Sequence, residues 1–416
     1  MQRAAREHLL ESAPPVPSES WPRVLVVHNQ FQHLGGEDFT AYAEIELMRT
    51  RGADLQVLVY DSNDPERVRR VKRRPDELVF NRRVYSDIRR IIQRDKIEVV
   101  HCHNLWPMMG PSAYWAARDE DVALVQTVHD FRMGCLQGQL LRDGQICEQC
   151  RPGRHLNGIV FGCYRGSHVQ SVALGVAQTI NALRQTWSLP TLYIAPSLFV
   201  HAKLRSWGIS EQRIVVKPHF VAADPGFSHA ERDVAVYVGR LSQEKGLQTI
   251  IHLWQPDWVP LVIVGDGPLR AQLEQQLREA PKSNVRLAGR KTPDEVAAVL
   301  RRACFLVLPS ITYETFGRVL IEAYAHGVPV LASRLGATTE IVEDGRTGLL
   351  FDAHDPRDLR AKLAQLAVRP EQSAPMRWPA RQAFEERYSA GANAEALLSA
   401  YTDALRLQSA VALGVA

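Results

Sequence analysis

The chain has 416 residues, 45% of them apolar and 23% charged. These are the proportions of a globular protein of two to three domains, and they exclude a disordered, collagenous or coiled-coil chain. The net charge of +4 is uneven: residues 21–220 carry 26 Lys+Arg against 20 Asp+Glu, and residues 221–416 carry 22 against 23.

Residues 1–20 (MQRAAREHLLESAPPVPSES) lack the apolar stretch of a signal peptide and read as a polar tail. No apolar run approaches the ~18 residues of a membrane span. A cytoplasmic protein is expected, so the six cysteines argue against a disulfide framework. Residues 23–27 (RVLVV), 55–60, 98–102 and 123–128 read as buried strands, with helical stretches at 38–51 and 84–95. That rhythm implies a parallel sheet covered on both faces. Much of the positive excess lies in residues 67–74 (RVRRVKRR) and at Arg82, Arg83, Arg89 and Arg90. Such a run is either a solvated face or a surface for anionic lipid. No nucleic-acid-binding signature accompanies it, so nucleic acid is not an expected partner. Asp119-Glu120-Asp121 precedes an apolar strand and reads as a solvated turn rather than a metal site.

Residues 135–165 interrupt the rhythm and read as an insertion; strands resume at 191–195 and 213–217. Residues 217–227 (KPHFVAADPGF) form a linker. A second series follows at 234–238, 261–264, 285–287, 305–308 and 329–332. The expected division is a tail (1–20), a first domain (21–217, with insertion 135–165), a second (218–389), and a C-terminal segment (390–416). Two doubly wound domains are expected to hold a ligand in a cleft between them.

The chain has no P-loop, no HExxH and no GxSxG, and VGDGP (264–268) lacks the third glycine of a dinucleotide fingerprint. The positive signals lie at strand ends. Gly35-Gly36 would let backbone amides approach a phosphate at a helix start, or would simply make a tight turn. In GRLSQEKG (239–246), Arg240 and Lys245 could clamp a diphosphate without a metal ion, or be ordinary surface cations. Within PSITYETFGRVLIEAYAH (309–326), Glu314 precedes a helix starting near Phe316-Gly317. Glu322 lies inside that apolar helix, where a carboxylate needs a partner such as a pair of sugar hydroxyls. On one continuous helix these carboxylates would stand about 12 Å apart, beyond the roughly 5–9.5 Å of glycosidase pairs. His129, in TVHD (127–130), ends a strand on the expected ligand side. His101 and His103 share its choice between core and catalytic roles.

At GRLSQEKG, VIVGDGP (262–268), VRLAGR (285–290), 309–333 and GATTEIVEDGRTGLLF (336–351) the C-terminal half resembles the retaining glycosyltransferases of family 4, which have the GT-B fold. The N-terminal half, with HNQFQHLGGED (28–38), HCHNLWPMMGPS (101–112) and QTVHDFR (126–132), resembles a bacterial subgroup that builds surface polysaccharides. The resemblance spans residues 23–405. It implies an α/β GT-B protein that transfers a hexose-type sugar from a nucleotide diphosphate to a hydroxyl acceptor, with no metal in catalysis. Arg240 and Lys245 would hold the diphosphate with amides near Gly35, Gly36, Phe316 and Gly317. Glu322 would bind the ribose, Glu314 the transferred sugar, and Gly289-Arg290 would approach the base. His129 would lie beside the anomeric centre. It also implies that residues 390–407 form a helix packed on the first domain. The bulky, polar residues 29–33 depart from the family pattern and leave the acceptor open; a lipid-linked one would suit contact with anionic membrane. The rivals are a GT-B phosphorylase or epimerase, and a non-catalytic sugar-nucleotide-binding subunit. No phosphorylase cofactor-lysine motif is seen, and Arg240, Lys245 and Glu322 are all present.

Cys135, Cys147, Cys150 and Cys163 are spaced C-x11-C-x2-C-x12-C, a pattern suited to structural zinc. A redox pair and four unrelated thiols are the alternatives. Cys102 and Cys304 sit in apolar strands and read as core residues.

Overall fold

The structure is a computed structural model that describes residues 21–32, 34–279 and 284–412. The polar tail, His33 and residues 413–416 lie outside the described residues. The chain divides into two compact units. One comprises the chain up to Leu140, Cys147–Ala222 and the segment from Ala390; the other comprises Leu141–Ile146 and Ala223–Ser389. The break thus falls inside the 217–227 linker rather than at its start, and six residues of the insertion group with the second unit.

In the first unit the strands are β1 (Val24–Gln30), β2 (Leu55–Asp61), β3 (Val99–Cys102) and β4 (Ala123–Thr127). The strands β5 (Leu141–Arg142) and β6 (Gln145–Ile146) of the insertion form a separate hairpin that groups with the second unit, and β7 (Leu192–Ala195) and β8 (Ile214–Val216) complete the first unit's set. The sheet is parallel, in the order β2-β1-β3-β4-β7-β8. Its central strands are buried on both faces, which explains their unbroken apolar sequences. Leu25, Val27, Val100 and Leu124 pack on one side against Val84, Ile88 and Ile92 of helix Arg82–Asp95. Val24, Val26, Val99 and Val125 pack on the other against Ile45 and Met48 of helix Gly36–Thr50. The same face is covered by Leu397, Ala400, Tyr401 and Ala404 of helix Ala390–Ala412.

The basic run is helix Pro65–Arg73, which begins with Pro65 and is capped by Asp64 accepting from Glu66 N at 2.9 Å. Three cations of the run meet carboxylates: Arg67 pairs with Asp64, Arg70 with Glu77, and Arg74, which follows the helix, with Asp76. Arg89 likewise meets Glu120 and Arg90 meets Asp87. Exposed Arg69, Arg73, Arg82 and Arg83 have no carboxylate at ion-pair distance among the described residues.

The second unit carries β9 (Val234–Val238), β10 (Leu261–Val264), β11 (Val285–Gly289), β12 (Ala303–Leu308), β13 (Val330–Ser333) and β14 (Gly348–Phe351), all parallel, in the order β11-β10-β9-β12-β13-β14. Trp254, Phe305, Leu363 and Leu366 are fully buried in its core. Both sheets are doubly wound, as expected from the sequence. Strand order reverses between β1 and β3 in the first and between β9 and β12 in the second. Ligands of such sheets bind at the carboxyl ends of the strands beside that reversal.

Candidate active site

In the second unit the reversal is flanked by the loop after β9 (Gly239–Gly246) and the loop after β12 (Pro309–Gly317). Their backbones touch: Ile311 N donates to Glu244 O at 2.9 Å. Gly246 has φ +65°, and a Cβ there would stand 2.1 Å from the Pro309 carbonyl oxygen, so only glycine fits. This approach delivers Lys245 to Glu314, Nζ to Oε1 at 2.5 Å. Ser310 Oγ donates to the same oxygen. Burial pushes the Glu314 carboxyl up, but the Lys245 ammonium and the two hydrogen bonds bring it below the usual carboxylate range. We expect Gly246→Ala to lower the melting temperature by about 4–10 °C, from ~1–3 kcal/mol of left-handed strain plus the clash. Scanning calorimetry reads the shift; an unchanged transition would mean that these loops do not touch.

Arg240, on the first of these loops, is exposed, with no carboxylate at ion-pair distance among the described residues. The next strand ends join the same rim. Gly265 N donates to Gly289 O at 2.9 Å, and a Cβ on Gly265 (φ +145°) would meet Gly239 O at 1.8 Å. Gly289 therefore stands near the Gly239–Gly246 loop, with Arg290 exposed beside it. Gly317, at φ +82°, starts helix Arg318–Ala325, whose first turn has no acidic residue. The positive end of the helix dipole there favours an anion. Phe316 is buried edge-on to Tyr388 at 5.9 Å. Glu322 meets Arg318 Nε at 3.1 Å; burial raises its carboxyl, and the guanidinium opposes that rise.

In the first unit, Gly35 and Gly36 open helix Gly36–Thr50. The Gly35 amide is already engaged: it donates to Asp38 Oδ2 at 2.8 Å. Asp38 also accepts from His28 Nε2 at 2.9 Å and Phe31 N at 3.1 Å. In this structure a buried carboxylate of this chain occupies that amide.

Beside it lies a set of buried histidines. His101 places Nδ1 2.8 Å from Tyr401 OH and Nε2 2.8 Å from Thr127 Oγ1. His103 Nδ1 lies 2.9 Å from His129 Nε2, and its Nε2 lies 3.6 Å from Glu44 Oε2. Glu44 Oε1 receives Lys217 Nζ at 2.6 Å. Burial, then the positive neighbours His28 and Lys217, hold His129 down to about 3. His129, Asp130, Arg132, Glu37, Trp106 and Tyr114 line a pocket of about 60 Å³. Pockets for whole small molecules usually measure about 300–1,000 Å³, so this recess by itself is only part of such a site. Arg132 bridges to Asp130 at 3.0 Å. Burial first, then Asp130 and Asp38, push the Glu37 carboxyl well up, towards its protonated form.

Glu44, His101 and His103 form the one group among the described residues whose ligating atoms all lie within 4.8 Å. A metal is disfavoured there, because both His101 nitrogens are engaged and Lys217 already supplies a positive charge. In the insertion, no disulfide joins the described cysteines. Cys147 N bonds Leu140 O at 2.8 Å and Cys163 N bonds Gly158 O at 2.9 Å. A Cβ on Gly158 would stand 3.5 Å from Cys150 Sγ and 2.9 Å from Leu136, the neighbour of Cys135.

Glu44, Lys217, Asp38 and Ser310 were not singled out in the sequence. Glu44 in AYAEIELM (41–48), like Glu322, is a carboxylate in an apolar helical stretch and carried the same signal.

Two family models match the chain: one described as Glycosyltransferase Family 4 over residues 34–224, and one as Glycosyl transferases group 1 over residues 224–383. The chain is a glycosyltransferase with the GT-B fold. An uncharacterised glycosyltransferase of Methanocaldococcus jannaschii is 25% identical to it over 83% of this chain and 88% of its own length. A D-inositol 3-phosphate glycosyltransferase of Corynebacterium kroppenstedtii is 31% identical over 42% of this chain and 41% of its own. In fold, the glycosyltransferase is similar to sucrose-phosphate synthase of Thermosynechococcus elongatus (TM-score 0.66, 17% identity, 91% of this chain and 98% of that one). It is also similar to Anabaena HepE, solved with UDP and glucose (TM-score 0.59, 16% identity, 91% and 99%).

Proposed function

We propose that this glycosyltransferase moves a sugar from a nucleotide diphosphate to a hydroxyl acceptor with retention at the anomeric carbon, in surface polysaccharide or glycolipid synthesis. The observation that carries this reading is the rim at the β9/β12 reversal. There Lys245, Arg240 and the amides of helix Arg318–Ala325 offer positive charge to a diphosphate, and Glu314 and Glu322 offer acceptors to sugar and ribose hydroxyls. On binding, Lys245 exchanges part of its contact with Glu314 for phosphate oxygens. The bond from the anomeric carbon to the phosphate oxygen breaks as the acceptor oxygen bonds on the same face. The acceptor's proton passes to the departing phosphate, whose charge the cations stabilise. In the first unit, His129 is the group offered to a hydroxyl of the transferred sugar. Isothermal titration with UDP-, GDP- and ADP-sugars in EDTA tests this reading, starting from UDP-glucose because the similar HepE binds UDP and glucose. Saturable binding of one of these donors is expected; binding of none would contradict the reading.

The basic helix suits a lipid-linked acceptor at anionic membrane. Each exposed arginine near such a surface contributes about 1 kcal/mol. Sedimentation with phosphatidylglycerol vesicles should fall as salt rises. It should be lost when Arg69, Arg73, Arg82 and Arg83 are all changed to Gln, whereas unaltered binding would remove the membrane from the proposal.

The cofactor belongs to the same proposal: no metal acts in catalysis, and one structural zinc is held by Cys135, Cys147, Cys150 and Cys163. Cys150 Sγ, the Cys163 backbone and Leu136, the neighbour of Cys135, meet around Gly158. His155, 2% exposed beside them in sequence, has no partner on either ring nitrogen. A metal would add its binding free energy to the ordering of these loops. Elemental analysis should find about one zinc per chain, lost in Cys147→Ser/Cys150→Ser. A content below about 0.2 per chain with freely titratable thiols would end the idea.

A further inference from the structure

Helix His168–Leu183 of the first unit is turned inside out. Its buried side carries Ser171, Gln178 and Asn181 beside Leu174, Gly175 and Ala177. Its solvent side carries Val169, Val172, Val176, Ile180 and Leu183, with Val169 and Leu183 each 80% exposed. With about 3.6 residues per turn, the side chains on the solvent side fall within about 80° of arc, along a ridge about 21 Å long. An ordinary surface helix has the reverse arrangement. The short helix Leu156–Val160 is tied to this one: a Cβ on Gly175 would stand 2.7 Å from Ile159. Leu156 and Val160, one turn apart, are exposed as well. Scattered exposed aliphatics need no explanation, but a continuous apolar ridge marks a surface that meets something apolar.

The charge of this stretch identifies the partner. From residue 149 to residue 210 the sequence holds six Lys+Arg and no Asp or Glu. Lys203 pairs with Glu148 and Arg205 with Glu211, at the two ends of the stretch. Arg151, Arg154, Arg165 and Arg184 are exposed, with no carboxylate at ion-pair distance among the described residues. The helix also lies against the short turn Pro75–Leu78, which separates Arg69 and Arg73 from Arg82 and Arg83. A second copy docked about a two-fold axis would bring the same arginines face to face, with no acid in the stretch to offset them. An anionic lipid surface offsets them all.

We propose that this ridge is a membrane anchor: its valines, Ile180 and Leu183 enter the headgroup–acyl boundary of an anionic bilayer, while the arginines stay level with the lipid phosphates. The basic helix Pro65–Arg73 supplies attraction only, and the ridge adds the apolar second signal that stable peripheral binding needs. The anchor builds on the membrane reading of that helix and is independent of donor and acceptor chemistry.

Sedimentation of the full-length protein with mixed phosphatidylglycerol and phosphatidylcholine vesicles, over a range of salt, separates the two contributions. Val172→Ser/Val176→Ser/Ile180→Ser alters exposed side chains alone, so the fold should persist, and circular dichroism checks it. This variant should bind about tenfold more weakly at every salt concentration, with the dependence on salt unchanged. The Arg→Gln changes at 69, 73, 82 and 83 should instead remove the salt-dependent part. Insertion is read with Val176→Trp, whose added fluorescence should be quenched by lipids brominated on their acyl chains, above the wild-type background. Wild-type binding by the triple-Ser variant, or no added quenching, would overturn the inference; if the arginine variant alone loses binding, the basic helix stands and the ridge falls. A wild-type dimer without lipid, dissociated by the triple-Ser change in sedimentation equilibrium, would also overturn it and give the face to a second copy. Absence of all vesicle binding would strike the anchor and the membrane reading of the basic helix, and leave sugar transfer standing. Failure of nucleotide-sugar binding would strike the proposed transfer and leave the anchor.

Discussion

Transfer is expected to fall about 10–150-fold in Arg240→Ala and in Lys245→Met, and by two to four orders of magnitude when the changes are combined. Each removes a charge-assisted contact of about 1.5–3 kcal/mol to the diphosphate. The two variants differ in what they leave behind. Arg240 is exposed and has no carboxylate at ion-pair distance among the described residues, so its loss should be structurally silent. Lys245 is the largest of the influences that lower the Glu314 carboxyl; without it that carboxyl rises, and activity should be lost from the acid side at a higher pH. Glu314 stays 13% exposed, so water can solvate the stranded carboxylate and the fold should survive. Circular dichroism, nucleotide titration and initial rates separate these effects. Wild-type rates in both single variants would contradict the clamp.

Stability is expected to decline steeply between pH 7.5 and 5, and mainly in the first unit. Burial is the main force holding down His101, His103 and His129 (about 3) and His155 (about 4) there, and His326 (about 4) in the second unit. The unfolded chain binds protons at these imidazoles below about pH 6.5 and the folded chain does not, so acid favours unfolding. Each such group contributes up to ~1.4 kcal/mol per pH unit, or ~2 kcal/mol by pH 5. The four in the first unit together approach the whole stability of an ordinary domain. The raised carboxyls of Glu37 and Glu322 act in the opposite sense and are outnumbered. The lowered Glu314, Asp224 and Asp344 add their losses only below about pH 4.5. Hydrogen exchange at pH 7.5 and 5 should show peptides of the first sheet losing protection before those of the second, after correction for the intrinsic rate. Equal, pH-independent protection would contradict the buried neutral cluster.

The two parallel sheets were legible because strands buried on both faces must be continuously apolar, as in VLVV and CFLVL. Helix Pro65–Arg73 was hidden: two of its arginines, Arg67 and Arg70, meet partners at Asp64 and Glu77, and a charge run alone carries no helical period. Strand Gly348–Phe351 is four residues long and was absorbed into a motif. In the site, Lys245 and Glu314 were marked individually, but their 2.5 Å pairing rests on the approach at Gly246, which spacing cannot express. Asp38 read as an ordinary first-turn acid, yet three donors converge on it. Lys217 looked like the end of a strand, because its partner Glu44 is far away in the chain. Long-range pairing of buried charge is the part of the site that local pattern leaves blank.

The most direct measurement is the anomeric configuration of the product. The enzyme is given an α-configured nucleotide sugar labelled with carbon-13 at the anomeric carbon, together with an acceptor and EDTA, and the reaction is followed by NMR. The account predicts an α-linked product formed at the same rate with and without chelator. A β-linked product, or transfer abolished by EDTA in protein that keeps its zinc, would contradict it.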